Sequence, residues 1–273
     1  MASLREPAVA GRFYPGDATK LRADVISYLS TQEAPPKERV RAIGCVVPHA
    51  GYIYSGRVAG AVFSRLEIPP CCIVLCPNHT GLGRPLAIMK EGAWRTPLGD
   101  LPIDSELAGK LLQTFPALVE DSAAHRSEHA IEVELPFLQV LRSDVKFVPI
   151  AIGTGQPMLL QHLGEAVAKV VSDYEHPVPI IASSDMNHYE DDPTTRVKDR
   201  KAIDQILELD PGGLYETVMR ESISMCGFGP AVAMLTAAKR LGAKKAELVQ
   251  YATSGDVSGD RGTVVGYAGI IVT

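Results

Sequence analysis

Residues 71–81 read CCIVLCPNHTG: six consecutive apolar residues, then proline, asparagine, histidine, threonine and glycine. An apolar run that short, with no polar alternation, predicts a strand buried on both faces, here over 72–76. The polar stretch that ends it leaves His79 just beyond the strand. The same grammar occurs twice more. AIGCVV at 42–47 is followed by Pro48-His49-Ala50-Gly51-Tyr52, and VPIIAS at 178–183 runs into Ser184-Asp185-Met186-Asn187-His188.

Working outward, further strands are expected at 86–89, 146–151, 247–252 and 264–272. Helical patterning predicts helices over 17–30, 56–66, 104–114, 129–141, 158–173, 194–208, 211–219 and 228–241. Asp104 and Ser105 read as start signals for the third of these and Pro211 for the seventh. No internal repeat, low-complexity tract or linker divides the chain. EAPPKER at 33–39 reads as a surface loop too early to bound a second domain. Strands interleaved with helices predict one α/β domain over 1–273, with a buried, mostly central mixed β-sheet flanked by helices.

In open α/β sheets, ligand sites lie beyond the carboxyl ends of strands. Four predicted strand ends deliver His49, His79, Asp185 with His188, and Asp256, a pattern that one functional crevice would produce. Proline holds the backbone beside His49 and His79 stiff, and Gly51 is expected to let the chain turn away. Imidazole suits iron, zinc, copper and nickel alike, so paired histidines point to a metal without choosing it. The plainer reading of each histidine alone is a strand cap.

Composition narrows the function classes. The chain has 273 residues, 46% hydrophobic and 22% charged, which is ordinary for a globular protein. A formal net charge of −5 and the lack of a basic run argue against nucleic acid. Arg5 and Glu6 stand where a secretion signal would be apolar. No apolar run approaches the roughly 20 residues needed to span a bilayer. A cytoplasmic protein without membrane or nucleic-acid partners is expected. The five cysteines are odd in number and three of them share one strand, so core packing is expected rather than disulfides.

Four other motifs bear on chemistry. Asp185 suits a carboxylate ligand or an orienting group behind a ligand histidine, and His188 an acid or base, although Ser183 to Asp185 also resemble a helix N-cap. Glu190, Asp191 and Asp192 read as solvated loop. In EHAIEVELP at 128–136, His129 and Glu132 share a helix face, as do Glu128 and Glu132. This is not HExxH, which disfavours a metalloprotease. His129 could line a pocket with helix N-terminal amides facing the same way. Cys226 precedes Gly-Phe-Gly-Pro and an apolar helix, where a lowered thiol pKa would suit a ligand or nucleophile; a small buried residue is the plainer reading. TSGDVSGD at 253–260 could close over a pocket or cradle an anion, or merely turn into the last strand, and it does not match Walker A.

Together these pieces resemble the Memo family, which includes the mediator of cell motility and the AmmeMemoRadiSam system protein B. The resemblance rests on REPAVAGRFYP at 5–15, VVPHAGYIYSG at 46–56, CPNHTG at 76–81, WRTPLGD at 94–100, EHAIEVELPFLQ at 128–139, SSDMNHY at 183–189, CGFGP at 226–230 and TSGDVSGD at 253–260. It implies a fold like that of class III, LigB-type extradiol dioxygenases, which hold Fe(II) with two histidines and a carboxylate. In Memo-like proteins a cysteine replaces the carboxylate. The implied metal ligands are therefore His49, His79 and Cys226, although the local sequence favours Asp185 equally well as the third. His129, His188 and Asp185 become the implied acid/base and pocket residues. Fe(II) is the expected metal, with Cu or Zn next. A redox or interaction role is expected first. An active oxygenase on a small aromatic, or a metal-free module for a peptide or anion, are the alternatives. The resemblance also implies a link to a radical-SAM protein and an AMMECR-like protein.

Overall fold

Every residue of the strand at Cys71–Pro77 is buried, and parallel strands flank it on both sides. That environment is what its unbroken apolar run requires. The computed structural model of the chain describes residues 3–30 and 39–273. The loop expected at 33–39 lies, Arg39 apart, outside the described residues.

In chain order the elements are β1 (Leu4–Arg5), α1 (Ala18–Leu29), β2 (Gly44–Val47), α2 (Tyr52–Arg65), β3 (Cys71–Pro77), β4 (Leu86–Ile88), β5 (Ala93–Thr96) and β6 (Gly99–Pro102). Then come α3 (Ser105–Thr114), β7 (Val119–Glu120), α4 (Ala130–Leu141), β8 (Lys146–Ile152), α5 (Pro157–Ser172), β9 (Ile180–Ser183) and β10 (His188–Glu190). The chain ends with α6 (Asp192–Leu207), α7 (Pro211–Arg220), α8 (Phe228–Arg240), β11 (Ala246–Thr253), α9 (Gly255–Ser258) and β12 (Val264–Val272). Asp17, Asp104, Asp191 and Asp210 each cap a helix by accepting a backbone N–H in its first turn, worth about 1 kcal/mol apiece.

The large sheet has the order β10-β12-β2-β9-β3-β8-β4-β7, with β11 along the other side of β12. Its centre, β2-β9-β3-β8, is parallel, while β12 and β4 pair antiparallel to it, so the sheet is mixed as expected. The order matters for the site. The chain leaves a gap between β2 and β3, and β9 later fills it. Three strand ends thereby become neighbours.

Two glycines show where the helix layers sit. A side chain at Gly44 would meet Met234 of α8 at 2.6 Å, and one at Gly269 would meet Val62 of α2 at 2.6 Å. Gly44 pairs with Val272, three residues from Gly269 on β12, so the two glycines face opposite ways. Helices α2 and α8 therefore cover opposite faces of the sheet.

A separate three-stranded sheet joins β1, β5 and β6. It holds the N-terminal segment beside α4. The Arg5 guanidinium lies 4.2 Å over the buried Trp94 ring and pairs with Glu132. Glu132 also accepts the N–H groups of Ala8 (2.8 Å) and Val9 (3.0 Å) and the Tyr14 hydroxyl (2.7 Å).

Within the fold, several expectations from the sequence are not met. The strands β1, β5, β6, β7 and β10 were not expected, since two to four residues carry no readable period. β11 is only half-buried, because among the described residues it pairs with β12 on one side and with no strand on the other. Gly51 has φ of −56°, open to any residue; it is Gly81, at φ 66°, that needs glycine's left-handed freedom. The buried apolar residues form a continuous core that includes Cys45, Cys71, Cys72 and Cys76; these four and the half-buried Cys226 are all free thiols. Among the described residues no helix is long and apolar enough to cross a membrane.

Candidate metal centre

The register places His49 and Asp185 side by side. Val47 of β2 is paired with Ser183 of β9, so each residue stands two positions past a shared rung. The Asp185 carboxyl accepts the His49 backbone N–H at 2.8 Å. Burial pushes Asp185 up to about 7, against the opposing pull of the His49 and Ala50 amides and the His79 charge. His79 enters from β3, on the far side of β9.

Donor nitrogens of His49, His79 and His129 all lie within 4.8 Å of one another. The ring centroids are 5.1 Å apart for His49 and His79, 5.5 Å for His49 and His129, and 4.7 Å for His79 and His129. His49 is 1% exposed, whereas the side chains of His79 and His129 keep 32% and 22%, so the cluster opens on their side.

The rings of His79, His188 and His49 are each oriented by a hydrogen bond at Nδ1. The His79 Nδ1–H donates to Glu128 Oε1 at 2.9 Å, and a carboxylate can only accept, so in the neutral ring Nε2 carries the free lone pair. His188 Nδ1–H donates to the Ser224 carbonyl at 2.9 Å with the same consequence. His49 Nδ1 meets Ser183 Oγ at 2.8 Å, while that hydroxyl donates to Ala130 O at 3.4 Å. The serine therefore accepts from His49, whose Nε2 is left bare.

Cys226 Sγ lies 3.3 Å from His49 Nε2 and 3.6 Å from the Asp185 carbonyl oxygen. Its loop is pinned by Gly227 N–H donating to Ser184 Oγ at 3.0 Å. The thiol does not have the lowered pKa expected near a helix N-terminus. Burial, with the Asp185 charge nearby, pushes it up.

Burial and the neighbouring imidazoles hold His49 well below the ordinary histidine range. Burial also lowers His129, despite the Glu128 charge, and His188, despite its backbone hydrogen bonds. For His79, burial is outweighed by the hydrogen bond and charge of Glu128, so it rises. Glu128 is its counterpart: burial opposes its charge, but His79 and the Ala130 amide hold the carboxyl below its usual range.

Glu128 is the site residue that the sequence reading missed as such. It carries four hydrogen bonds, from the His79 backbone N–H and ring and from the His129 and Ala130 amides. No local signal pairs it with His79, 49 residues away. Those same bonds correct the expectation that the helix amides face the pocket, since Glu128 occupies them. Glu134, a turn deeper on α4, is fully buried, and burial holds its carboxyl well above the usual range.

Asp256 does not join the cluster. It pairs with Arg196 at 2.8 Å and Arg261 at 3.3 Å, and accepts the Thr253 amide at 2.9 Å. Asp192, expected in a solvated loop, is buried against the same two arginines and Thr253. The stretch 253–260 is thus the α9 turn into β12, tied to α6. Ser183, Ser184 and Asp185 cap no helix; the cap of α6 is Asp191.

A family model described as Memo-like protein matches residues 5–271. A MEMO1 family protein of Methanopyrus kandleri is 44% identical over 278 residues, covering 98% of either chain. One from Methanococcoides burtonii is 45% identical over 270 residues, covering 98% of this chain and 100% of its own. Among solved structures, an uncharacterized protein of Escherichia coli K12 aligns with 85% of this chain and 100% of its own, with a TM-score of 0.56 at 15% identity. That likeness carries the fold alone.

Proposed function

Since this chain belongs to the Memo family, we propose that His49, His79 and His129, with Cys226 as a thiolate donor, hold a metal ion for redox chemistry on a small molecule. The observation that carries this reading is the convergence of three imidazole donors within 4.8 Å. Fe(II) is the metal proposed first, with Cu or Zn next, because a donor set of imidazole and thiolate accepts all three. Nitrogen and sulfur ligands at typical lengths from one ion stand roughly 3.1–3.5 Å apart. The 3.3 Å between His49 Nε2 and Cys226 Sγ fits that edge.

When bound, such a metal supplies Lewis acidity and, if it is iron or copper, one-electron exchange. The chain supplies the rest. Glu128 and Ser183 set the tautomers of His79 and His49. Asp185 fixes the backbone turn that carries His49. His188, its pKa lowered by burial and its Nε2 bare, would serve as the group that accepts a proton from a substrate. Cys226 must release its proton to ligate, so metal uptake is coupled to proton release.

The test is metal analysis of anaerobically purified protein. Close to one Fe, Cu or Zn per chain is expected in the wild type and none in His49→Ala/His79→Ala; equal content in both ends the proposal. Cys226→Ser should weaken metal affinity at least tenfold and abolish any thiolate charge-transfer band. Unchanged affinity and spectrum would remove Cys226 from the ligand set. Oxygen uptake with catechols on iron-loaded protein, above that of the double variant, would replace this reading with ring-cleaving activity.

A further inference from the structure

A cavity of about 740 Å³ lies between the N-terminal segment and the loop before α4, and His129 is part of its wall. The volume falls within the ordinary range of small-molecule sites. Its lining includes the apolar side chains of Leu4, Val9, Phe13 and Met89. The Phe13 ring lies 4.8 Å from the His129 ring, so that apolar lining reaches the histidine cluster.

The charges on the wall are unbalanced. Arg5 is committed to Glu132 and to the carbonyl oxygens of His125 (2.9 Å) and Glu128 (2.5 Å). Glu6 pairs with Arg95 at 3.0 Å. Arg12 and Arg126 line the cavity, are exposed, and have no ion-pair or side-chain hydrogen-bond partner among the described residues. Arg12 is close enough for its charge to act on His129. Two guanidinium groups without partners in a cavity with apolar lining suit a planar or tetrahedral oxyanion attached to an apolar body.

We propose that this cavity binds an amphipathic organic anion, with its carboxylate or phosphoryl group on Arg12 and Arg126 and its apolar body along Phe13, and delivers it to the histidine cluster. The delivery step rests on the metal-centre reading, whereas binding itself does not. Ligand selection here belongs to two surface arginines that the metal does not need.

Calorimetric titration separates the two. The probes are phenylacetate, phenylphosphonate and the uncharged isostere phenylacetamide, each added to metal-free and to iron-loaded protein. At least one anion should bind, and phenylacetamide at least tenfold more weakly. Arg12→Gln/Arg126→Gln should weaken anion binding at least tenfold while its metal content and thermal midpoint stay those of the wild type. His49→Ala/His79→Ala should keep anion binding while losing metal. Which anion binds more tightly distinguishes a carboxylate from a phosphoryl ligand. No binding of either anion, equal binding of phenylacetamide, or unchanged anion affinity in the arginine variant would overturn the proposal, in each case without touching the metal-centre reading.

Discussion

Glu128 holds His79 at two points, accepting the backbone N–H at 2.6 Å and the ring Nδ1–H at 2.9 Å. One carboxylate therefore fixes both where the histidine stands and which nitrogen it offers. It does so while bonding the first two amides at the start of α4. The loop after β3 and the start of α4 are thus one rigid unit.

Replacing that carboxylate should loosen the metal before it loosens the fold. For Glu128→Gln we expect metal affinity to fall about 10–100-fold, the usual effect of losing a ligand's hydrogen-bonding partner. Competition against a chelator of known strength measures it. Wild-type affinity would show that ring orientation does not depend on Glu128.

Gly227 should tolerate no side chain. An added Cβ would lie 2.2 Å from the Ser183 carbonyl oxygen and 2.4 Å from Ser184 Cβ, so the Cys226 loop must move off the end of β9. Gly227→Ala is expected to cost about 1–3 kcal/mol of stability, as forced overpacking does, and to weaken metal binding. Gly229→Ala is the control, because its nearest contact is the Leu160 side chain at 3.2 Å. Urea unfolding of the pair should separate them; equal midpoints would refute the argument.

Breaking the buried pair between Arg5 and Glu132 should be severe. Both side chains are almost wholly enclosed, and Glu132 also holds two N-terminal amides and Tyr14. Removing either partner leaves an uncompensated charge, and Arg5→Ala or Glu132→Ala is expected to destabilise by about 3–5 kcal/mol. Denaturant unfolding reads this directly. A loss below about 1 kcal/mol would mean that the N-terminal segment detaches without consequence.

Asp199 should make stability depend on pH in a direction opposite to most carboxylates. It is buried against Tyr251 (2.6 Å) and the Asn187 amide (2.8 Å), and burial pushes it up to about 7. An unfolded aspartate titrates near 3.9. Between those values the folded chain keeps a proton that the unfolded chain has released, so this contribution is full below about pH 4 and is lost as pH rises to about 7. Asp199→Asn removes the effect. Relative to wild type, the variant should gain roughly 2–3 kcal/mol between pH 5 and pH 8. A pH-independent difference would place the carboxyl pKa near its ordinary value.

Much of this was legible in the sequence. The apolar runs at 42–47, 72–76 and 178–183 are strands because a segment buried on both faces has no polar position to spare. Their ends delivered His49, His79, Asp185 and His188 to one neighbourhood, as a parallel sheet must. Asp256 followed the same rule and went elsewhere, since Arg196 and Arg261 claimed it across the chain. Cys226 stood out locally, ahead of Gly-Phe-Gly-Pro, but its choice as third ligand came only through family resemblance, because the same local sequence suits a small buried residue.

What the sequence by itself determined, then, is element type, the mixed α/β architecture and the placement of polar residues at strand ends, because each arises from interactions within a few residues. Which of those ends meet was decided by the tertiary structure. The insertion of β9 between β2 and β3 is a choice among long-range pairings that no local pattern encodes. The same holds for Glu128 behind His79, for His129 swung in from α4, and for Cys226 set 3.3 Å from His49. Those contacts join residues tens to nearly two hundred positions apart, and their geometry exists only once the core has packed.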